Sequence, residues 1–505
     1  MSTSAQSLFR SAGEFAQDEG YALFPFRFGK VPGIDGHTLI SSDAGEYVFL
    51  TDEQFDQLRT GVLSRSSVVY EDLLAKNIIC EGRPETAMRL LAAKLRTKKA
   101  FIQNGQAFHI FVVTLRCDHS CSYCQVSRKT PDRTKFDMSS GTVQAAVDRM
   151  FETPAPAFTV EFQGGEPLLA FNRIQEVVET IERRRSTDCR PVIYTMTTTL
   201  HHATDEMLEF LARHEFQIST SLDGPAELHN ANRPISTGDA YEQTIASIKR
   251  AREQLGHQRI SALTTLTRRS LEYPEAIVDE YVRQGFQTVF LRPLSPYGFA
   301  LRSERRIGYT MADFVTFYDK ALAHILELNK KGVWIAEAYA TILLTHILTP
   351  FSTGYVDLRS PAGAGLGTFV FNYDGGVYAS DESRMLAAMG DETFRLGHVT
   401  DPYEQLMASD AIKIIRSSGQ AEELPVCKDC VFLPYCGADP VHAYATQGDP
   451  IGDRSTSAFC ARHMGLFRIL FRYLHQGDPE VIRTFLAWVM RKPRAAVSHD
   501  WASPC

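Results

Sequence analysis

Six β-rich runs separated by helical ones between residues 108 and 294 limit the fold more than any other feature of this chain. The runs are "FHIFVVTL" (108–115), "FTVEFQ" (158–163), "VIYTMTT" (192–198), "FQISTSL" (216–222), "ISALTTLT" (260–267) and "FQTVFLRPL" (286–294). Between them, segments such as "FNRIQEVVETIERRR" and "TDEMLEFLARH" carry apolar residues at three- and four-residue spacing, the mark of amphipathic helices. Regular alternation of strand and helix predicts βα units and a parallel sheet, and so an α/β fold. Six units predict a partial (β/α)6 TIM-type barrel, whose chemistry gathers on the loops at the C-terminal strand ends.

The flanks read differently. Residues 1–104 pair short strands ("YALFPFRFGKV", "HTLISS", "EYVFL") with two helical runs, 51–61 with Thr51 as N-cap and 66–80, which predicts a small winged-helix-like α+β module. The barrel is expected over 105–310. A linker helix opening at Met311 and a loop-rich cysteine-bearing domain follow over 311–465, then C-terminal helices and a tail over 466–505.

A net charge of -7 without a long basic run gives no electrostatic footprint for nucleic acid. The first twenty residues lack an apolar signal core and no run of 18 apolar residues occurs, so neither secretion nor membrane spanning is expected and the location expected is cytoplasmic. In that reducing compartment ten cysteines point to metal sooner than to disulfides. Seven fall into two groups, Cys117/Cys121/Cys124 and Cys427/Cys430/Cys436/Cys460, while Cys80, Cys189 and Cys505 read as ordinary thiols.

The first group, "CDHSCSYC" (117–124), directly follows the first strand. It supplies three thiolates with no well-placed fourth ligand, and His119 is badly spaced to close a zinc site. Three thiolates suit a [4Fe–4S] cube with one iron left open, which is useful only where a cofactor or substrate binds that iron. The loops after the second, third and fourth strands, "QGGEP" (163–167), "TTTLHH" (197–202) and "SLDGP" (221–225), are expected at the same barrel mouth.

C-x3-C-x2-C with an aromatic, Tyr123, before the last cysteine, followed by "GGEP" at 164–167, resembles the radical SAM superfamily. That resemblance implies S-adenosylmethionine on the open iron and hydrogen abstraction by a 5′-deoxyadenosyl radical. It also implies cofactor contacts at Tyr123, Gln163, Gly164, Gly165, Glu166, Pro167, Thr197 and Ser221, with the "GGEP" backbone and Glu166 on the methionine amine. Thr197 and Ser221 read equally well as strand-end caps. Asp223 and Arg233 resemble a stretch found in peptide-modifying members, and read alternatively as a turn former and a surface ion pair.

"CKDCVFLPYCGADP" with Cys460 offers four thiolates, enough to close a zinc ribbon. Placed after a radical SAM barrel it resembles the SPASM extension, whose cysteines hold auxiliary [4Fe–4S] clusters. That family's nearer cluster takes cysteines where this chain has Ala362, Ser380 and Pro440. One auxiliary cluster, fully ligated by protein, is therefore implied, and the vacated space is expected to enlarge the substrate cavity. Asp381 resembles an aspartate proposed to take a proton in sulfatase-maturing members, and reads alternatively as a loop residue capping a turn.

Over nearly its whole length the chain is similar to the HxsB type of maturase from the His-Xaa-Ser peptide system. This similarity implies an oxidoreductase that installs an intramolecular side-chain cross-link in a ribosomally made precursor peptide. It also implies an electron donor of flavodoxin or ferredoxin type and a second radical SAM maturase as partners. The N-terminal module would grip the leader by strand addition, or only pack on the barrel. Two other functions are weighed: a formylglycine-forming sulfatase maturase, and a zinc-bound peptide adaptor without catalysis.

Overall fold

The computed structural model describes residues 20–129, 132–236 and 238–492. Strands β1 (Phe108–Thr114), β2 (Phe158–Gly164), β3 (Val192–Thr197), β4 (Gln217–Ser221), β5 (Ile260–Thr265) and β6 (Leu291–Arg292) run parallel in the order of the chain. Their outer side chains form one continuous core with the helices: on β2, Phe158, Val160 and Phe162 are buried, while Thr159, Glu161 and Gln163 alternate onto the other face. Period-two alternation places Glu161 and Gln163 inside the partial barrel.

The sixth strand, expected over 286–294, is broken in two. Thr288–Val289 pairs with Ala336–Glu337, and only β6 joins β5. The backbone explains the break: Leu291 N donates to the Glu337 carboxylate, Arg292 N turns back to Phe290 O, and Pro293 has no N–H to continue a ladder.

The barrel does not close on itself. Beyond β1 the sheet continues into β7 (Thr368–Phe371), parallel to β1, and then into antiparallel β8 (Gly376–Tyr378) and β9 (Arg395–His398), giving nine strands. The region expected to be loop-rich therefore contributes a third of this sheet and five helices of its own, among them Asp381–Ala388 and Pro440–Gln447. Asp374-Gly375, with Gly375 at φ +88°, makes the hairpin turn between β7 and β8.

In the N-terminal module, antiparallel strands Phe26–Gly29, His37–Ser42 and Tyr47–Thr51 precede helix Asp52–Thr60, which Thr51 caps through Gln54 N. The helix expected over 66–80 covers only Tyr70–Ala75; Asn77 at φ 55° ends it, and Ile79–Glu81 pairs as a strand with Tyr21–Leu23. The module seats on the second cysteine segment: Ser41 Oγ donates to Val431 O (2.7 Å), Arg27 Nε to Lys428 O (2.6 Å), and Tyr435 OH returns a bond to Gly45 O (3.1 Å). Helix Met311–Lys330 packs on helix Ala458–Gln476 and closes the far side. No described helix is long and apolar enough to cross a membrane. Cys80 is buried and Cys189 exposed; Cys505 lies outside the described residues.

Glu337 sets a pH dependence for this frame. It is fully buried, accepts from Tyr318 OH, Ala340 N and Leu291 N, and burial pushes its carboxyl from 4.5 up to about 7. The folded state holds a proton that the unfolded state releases earlier. Stability is thus greatest below the unfolded value and falls as pH rises from 4.5 to about 7, by about 3 kcal/mol in total. Glu337→Gln should flatten this slope, read as thermal midpoints measured across that window.

Candidate active site

One cavity of about 840 Å³ opens at the C-terminal ends of β1 to β5. Its wall takes Cys117, Cys121, Tyr123 and Cys124 from the loop after β1, Gln163 to Glu166 from β2, Thr197 to Thr199 from β3, Ser221 from β4 and Thr265 from β5. The C-terminal domain supplies the opposite wall, including Asp357, Ser380, Asp381 and Glu382. All the sequence-predicted cofactor residues line this space except Pro167, which is buried at the first position of the short helical turn Pro167–Ala170 and points its ring into packing instead.

The cysteine loop is held from behind. Tyr123 OH donates to Asp223 Oδ2 and accepts from Arg233 Nη1, both at 2.8 Å, and all three side chains are buried. The surface ion pair considered for Asp223 and Arg233 is thereby corrected: the two residues meet through Tyr123 inside the protein. Arg116 anchors the loop's start through paired bonds to Asp137 (2.7 and 2.8 Å), and Phe299 N holds Cys124 O (2.8 Å).

Burial first, and neighbouring acidic groups after it, push the Cys117 thiol up, and burial pushes Cys121 up to about 11. Thiolates here need a bound cation to offset them. Tetrahedral zinc, with Zn–S near 2.3 Å, would draw thiolates to about 3.8 Å from one another. Among the described residues, the only three candidate ligand atoms gathered within 4.8 Å belong to Cys117, Asp118 and His119, so neither cysteine group is drawn in to zinc spacing. His119 pairs its Nδ1 with Asp118 Oδ1 (2.9 Å), and its buried Nε2 has no hydrogen-bond partner. The wider set of three thiols on an open cavity fits a cubane cluster with one unclaimed iron.

The "GGEP" turn is pressed against the strand beside it. A Cβ on Gly164 would stand 2.2 Å from Thr114 O, and one on Gly165 2.2 Å from Arg116 O. Gly165→Ala must therefore displace the turn or the base of the cysteine loop. The expected result is loss of S-adenosylmethionine binding by at least about tenfold, together with about 1–3 kcal/mol of stability, checked by equilibrium dialysis and thermal melting.

Glu166 is wholly buried and fully occupied: Thr198 Oγ1 (2.5 Å) and Leu168 N (3.0 Å) donate to Oε1, and Thr199 N and Oγ1 (both 2.8 Å) to Oε2. Its carboxylate thus acts as a strut between the ends of β2 and β3. Glu161 plays a similar part, accepting from Gln163 Nε2 and Thr197 Oγ1, both at 2.9 Å. Burial raises the Glu161 carboxyl above the usual range, with those two bonds opposing.

Glu161, Thr198, Thr199, Arg292 and Glu382 were absent from the sequence-predicted set. For Glu161 the signal was available, because an acidic residue two before Gln163 on a barrel strand faces the same side. The others depend on how segments far apart in sequence meet.

The second cysteine group sits between the N-terminal sheet and helix Ala458–Gln476. Cys427, Cys430 and Cys436 lie on two short 3-10 turns, and Cys460 in the first turn of that helix. Burial pushes all four thiols up, Cys460 to about 11, and for Cys436 and Cys460 the other cysteines add to it. As thiolates the four would repel one another, so their ionised forms need a bound cation.

Ala362, Ser380 and Pro440 are all buried. Ser380 caps helix Asp381–Ala388 through Ser383 N, Pro440 opens helix Pro440–Gln447, and Ala362 packs on Gly419. Only Ser380 faces the cavity. A separate chamber of about 30 Å³ lies close by and is lined by none of these three residues. Asp381 is not a turn cap: it is the first helical residue, lines the cavity, and accepts from Arg384 Nε (3.1 Å).

The sequence profile of the radical SAM superfamily matches residues 111–281, which carry the cysteine loop, the "GGEP" turn and β2 to β5. An uncharacterized protein of Methanothermobacter thermautotrophicus is 32% identical over 193 residues, 38% of this chain and 69% of that one. A cysteine-type anaerobic sulfatase-maturating enzyme of Clostridium perfringens is 22% identical over 370 residues, 70% of this chain and 93% of that one. The solved structure of native anSMEcpe with bound AdoMet and Cp18Cys peptide superposes with a TM-score of 0.60 at 18% identity, over 73% of this chain and 97% of that one, a likeness of fold. With a three-thiol loop opening on a cavity at the barrel mouth and a profile match across it, the chain belongs to the radical SAM superfamily.

Proposed function

We propose that this enzyme modifies a side chain of a ribosomally made precursor peptide, joining two of its residues by a cross-link of the kind made in the His-Xaa-Ser system. The observation that carries the reading is the cavity: at about 840 Å³ it is near the upper end of small-ligand sites, with room for a cofactor and an inserted side chain. A solved neighbour that holds AdoMet together with a peptide supports the same substrate class.

In this reading Cys117, Cys121 and Cys124 hold the [4Fe–4S] cluster, and Cys427, Cys430, Cys436 and Cys460 hold one auxiliary [4Fe–4S] cluster. Tyr123, Gln163, Gly164, Gly165, Thr197 and Ser221 cradle S-adenosylmethionine, with Glu166 setting the turn's shape. When bound, cluster and cofactor supply hydrogen-atom abstraction. The chain's own part is to aim the substrate carbon, exclude water and accept a proton, for which Asp381 is the candidate. The edge strand Phe26–Gly29, with its own Phe28 exposed, would take the leader as an added strand. A flavodoxin or ferredoxin would deliver the electron, and a second maturase of the system would act on the same precursor.

The test is anaerobic incubation of the holoenzyme with S-adenosylmethionine, a reductant and the precursor peptides encoded beside its gene. A converted peptide lacking two hydrogens, and deuterium carried from labelled peptide into 5′-deoxyadenosine, would support the proposal. A sulfatase-derived peptide gaining an aldehyde while the precursors stay unchanged would replace it with the second reading, which the Clostridium perfringens similarity favours.

A further inference from the structure

Beside the reaction cavity lies the chamber of about 30 Å³, where the N-termini of helices Asp381–Ala388 and Pro440–Gln447 approach each other. Three carboxylates wall it, Asp357, Glu382 and Asp439, with the guanidiniums of Arg292 and Arg462. Asp357, Glu382 and Arg292 line the reaction cavity as well, so the chamber is a side room with a shared wall.

Two further polar groups on its wall have no hydrogen-bond partner: Tyr297 Oη, on a side chain 1% exposed, and His442 Nδ1, on one 8% exposed. Leaving such groups dry is unfavourable. The volume suffices for about one or two waters, and the hydroxyl, the ring nitrogen and the carboxylates give them the partners they require. A metal ion is a poorer occupant, because the chamber's carboxylates and imidazole are not among the groups converging within 4.8 Å in the described residues.

On the wall three carboxylates face two guanidiniums, and Asp381, paired with Arg384, and Arg454 lie close enough to act on the same carboxylates. Burial, then Asp357, Asp381 and Asp439, push the Glu382 carboxyl up to about 8. Burial also raises Asp357, with Asp439 adding to it, and raises Asp439 itself. Burial, then Arg462, push His442 down to about 4, so its ring is neutral. The phenols of Tyr297, Tyr339 and Tyr355 stay protonated, all raised by burial first.

We propose that this chamber is the proton outlet of the active site, with Glu382 passing a proton between the reaction cavity and the water held by Asp357, Asp439, Tyr297 and His442. This rests on the reading that a substrate C–H bond is oxidised. Cross-linking breaks a C–H bond and a bond from hydrogen to the partner atom, and forms one bond between the two atoms. One hydrogen leaves as an atom; the other leaves as a proton, after its electron has gone to a one-electron acceptor of the iron–sulfur class. Asp381, the first acceptor, would pass that proton to the neighbouring Glu382 as Glu382 hands its own to the chamber.

Infrared difference spectra of the full-length anaerobic holoenzyme, titrated in H2O and D2O without peptide, test the chamber directly. The expected result is a protonated-carboxyl band, sensitive to D2O, that disappears with a midpoint at about pH 8 and is missing in Glu382→Gln. No such band, or one that survives Glu382→Gln, overturns the proposal. Should Glu382→Gln not fold, Tyr297→Phe serves: the midpoint is expected to move, and an unmoved midpoint counts against a shared chamber.

A second arm uses a peptide that the wild type converts. Glu382→Gln should raise the ratio of 5′-deoxyadenosine to modified peptide at least about tenfold and change its pH profile, with Glu382→Asp restoring part of both. A ratio and profile that superpose on the wild type overturn the outlet. Failure of the peptide reading looks different, since no peptide is then converted by any form while the infrared band is unaffected.

Discussion

A Cys117/Cys121/Cys124→Ala chain, prepared anaerobically, is expected to keep about half its iron, falling from about eight to about four atoms per chain, and to form no 5′-deoxyadenosine above background. The two effects separate because the two cysteine groups are held by different parts of the fold. The first loop's shape does not depend on its thiols: Ser120 N bonds Pro234 O, Phe299 N bonds Cys124 O, and the Tyr123, Asp223 and Arg233 network lies behind it. The variant should therefore fold, with a thermal midpoint close to the wild type's, and lose chemistry alone. Iron analysis, the visible spectrum and product chromatography on one preparation check all three statements.

Cys430→Ala with Cys436→Ala should behave in the opposite way, losing stability together with the other four irons. The segment from 427 to 436 has only two 3-10 turns, too short to persist alone, and Val426 before them sits at φ 68°. Yet it carries Val431, Phe432 and Tyr435, on which the N-terminal sheet and helix Ala458–Gln476 pack. A four-thiolate metal site in a small domain contributes on the order of 10 kcal/mol to its folding. Removing it should expose this segment to protease, release the N-terminal module from its seat, and lower the thermal midpoint clearly. Limited proteolysis mapped by mass spectrometry reads both effects.

The parallel sheet was legible because each strand announces itself locally, by a short β-rich run between amphipathic helices, and the cysteine loop because its spacing is itself chemistry. Where legibility failed, the cause was non-local. The sixth strand is interrupted by Glu337, which sits 46 residues beyond the amide it accepts from. The sheet's continuation through β7 depends on a pairing between Phe108–Phe111 and Thr368–Phe371, which no local pattern announces, although the Asp374-Gly375 hairpin could have been seen. Glu166 has a buried side chain aimed at Thr198 and Thr199 just past the next strand, a brace that the motif alone does not announce. Glu382 and its chamber were invisible for the same reason: Asp357, Glu382, Asp439 and Arg462 come from four segments that only the folded C-terminal domain assembles.

The most direct measurement is 5′-deoxyadenosine release by the anaerobically reconstituted wild-type chain given S-adenosylmethionine and dithionite. A chain carrying about eight irons that releases it, with release abolished in the three-cysteine variant, is the predicted result. The same iron-loaded chain releasing none, with or without candidate peptides, would contradict the account at its root and leave a barrel that binds peptides without transforming them.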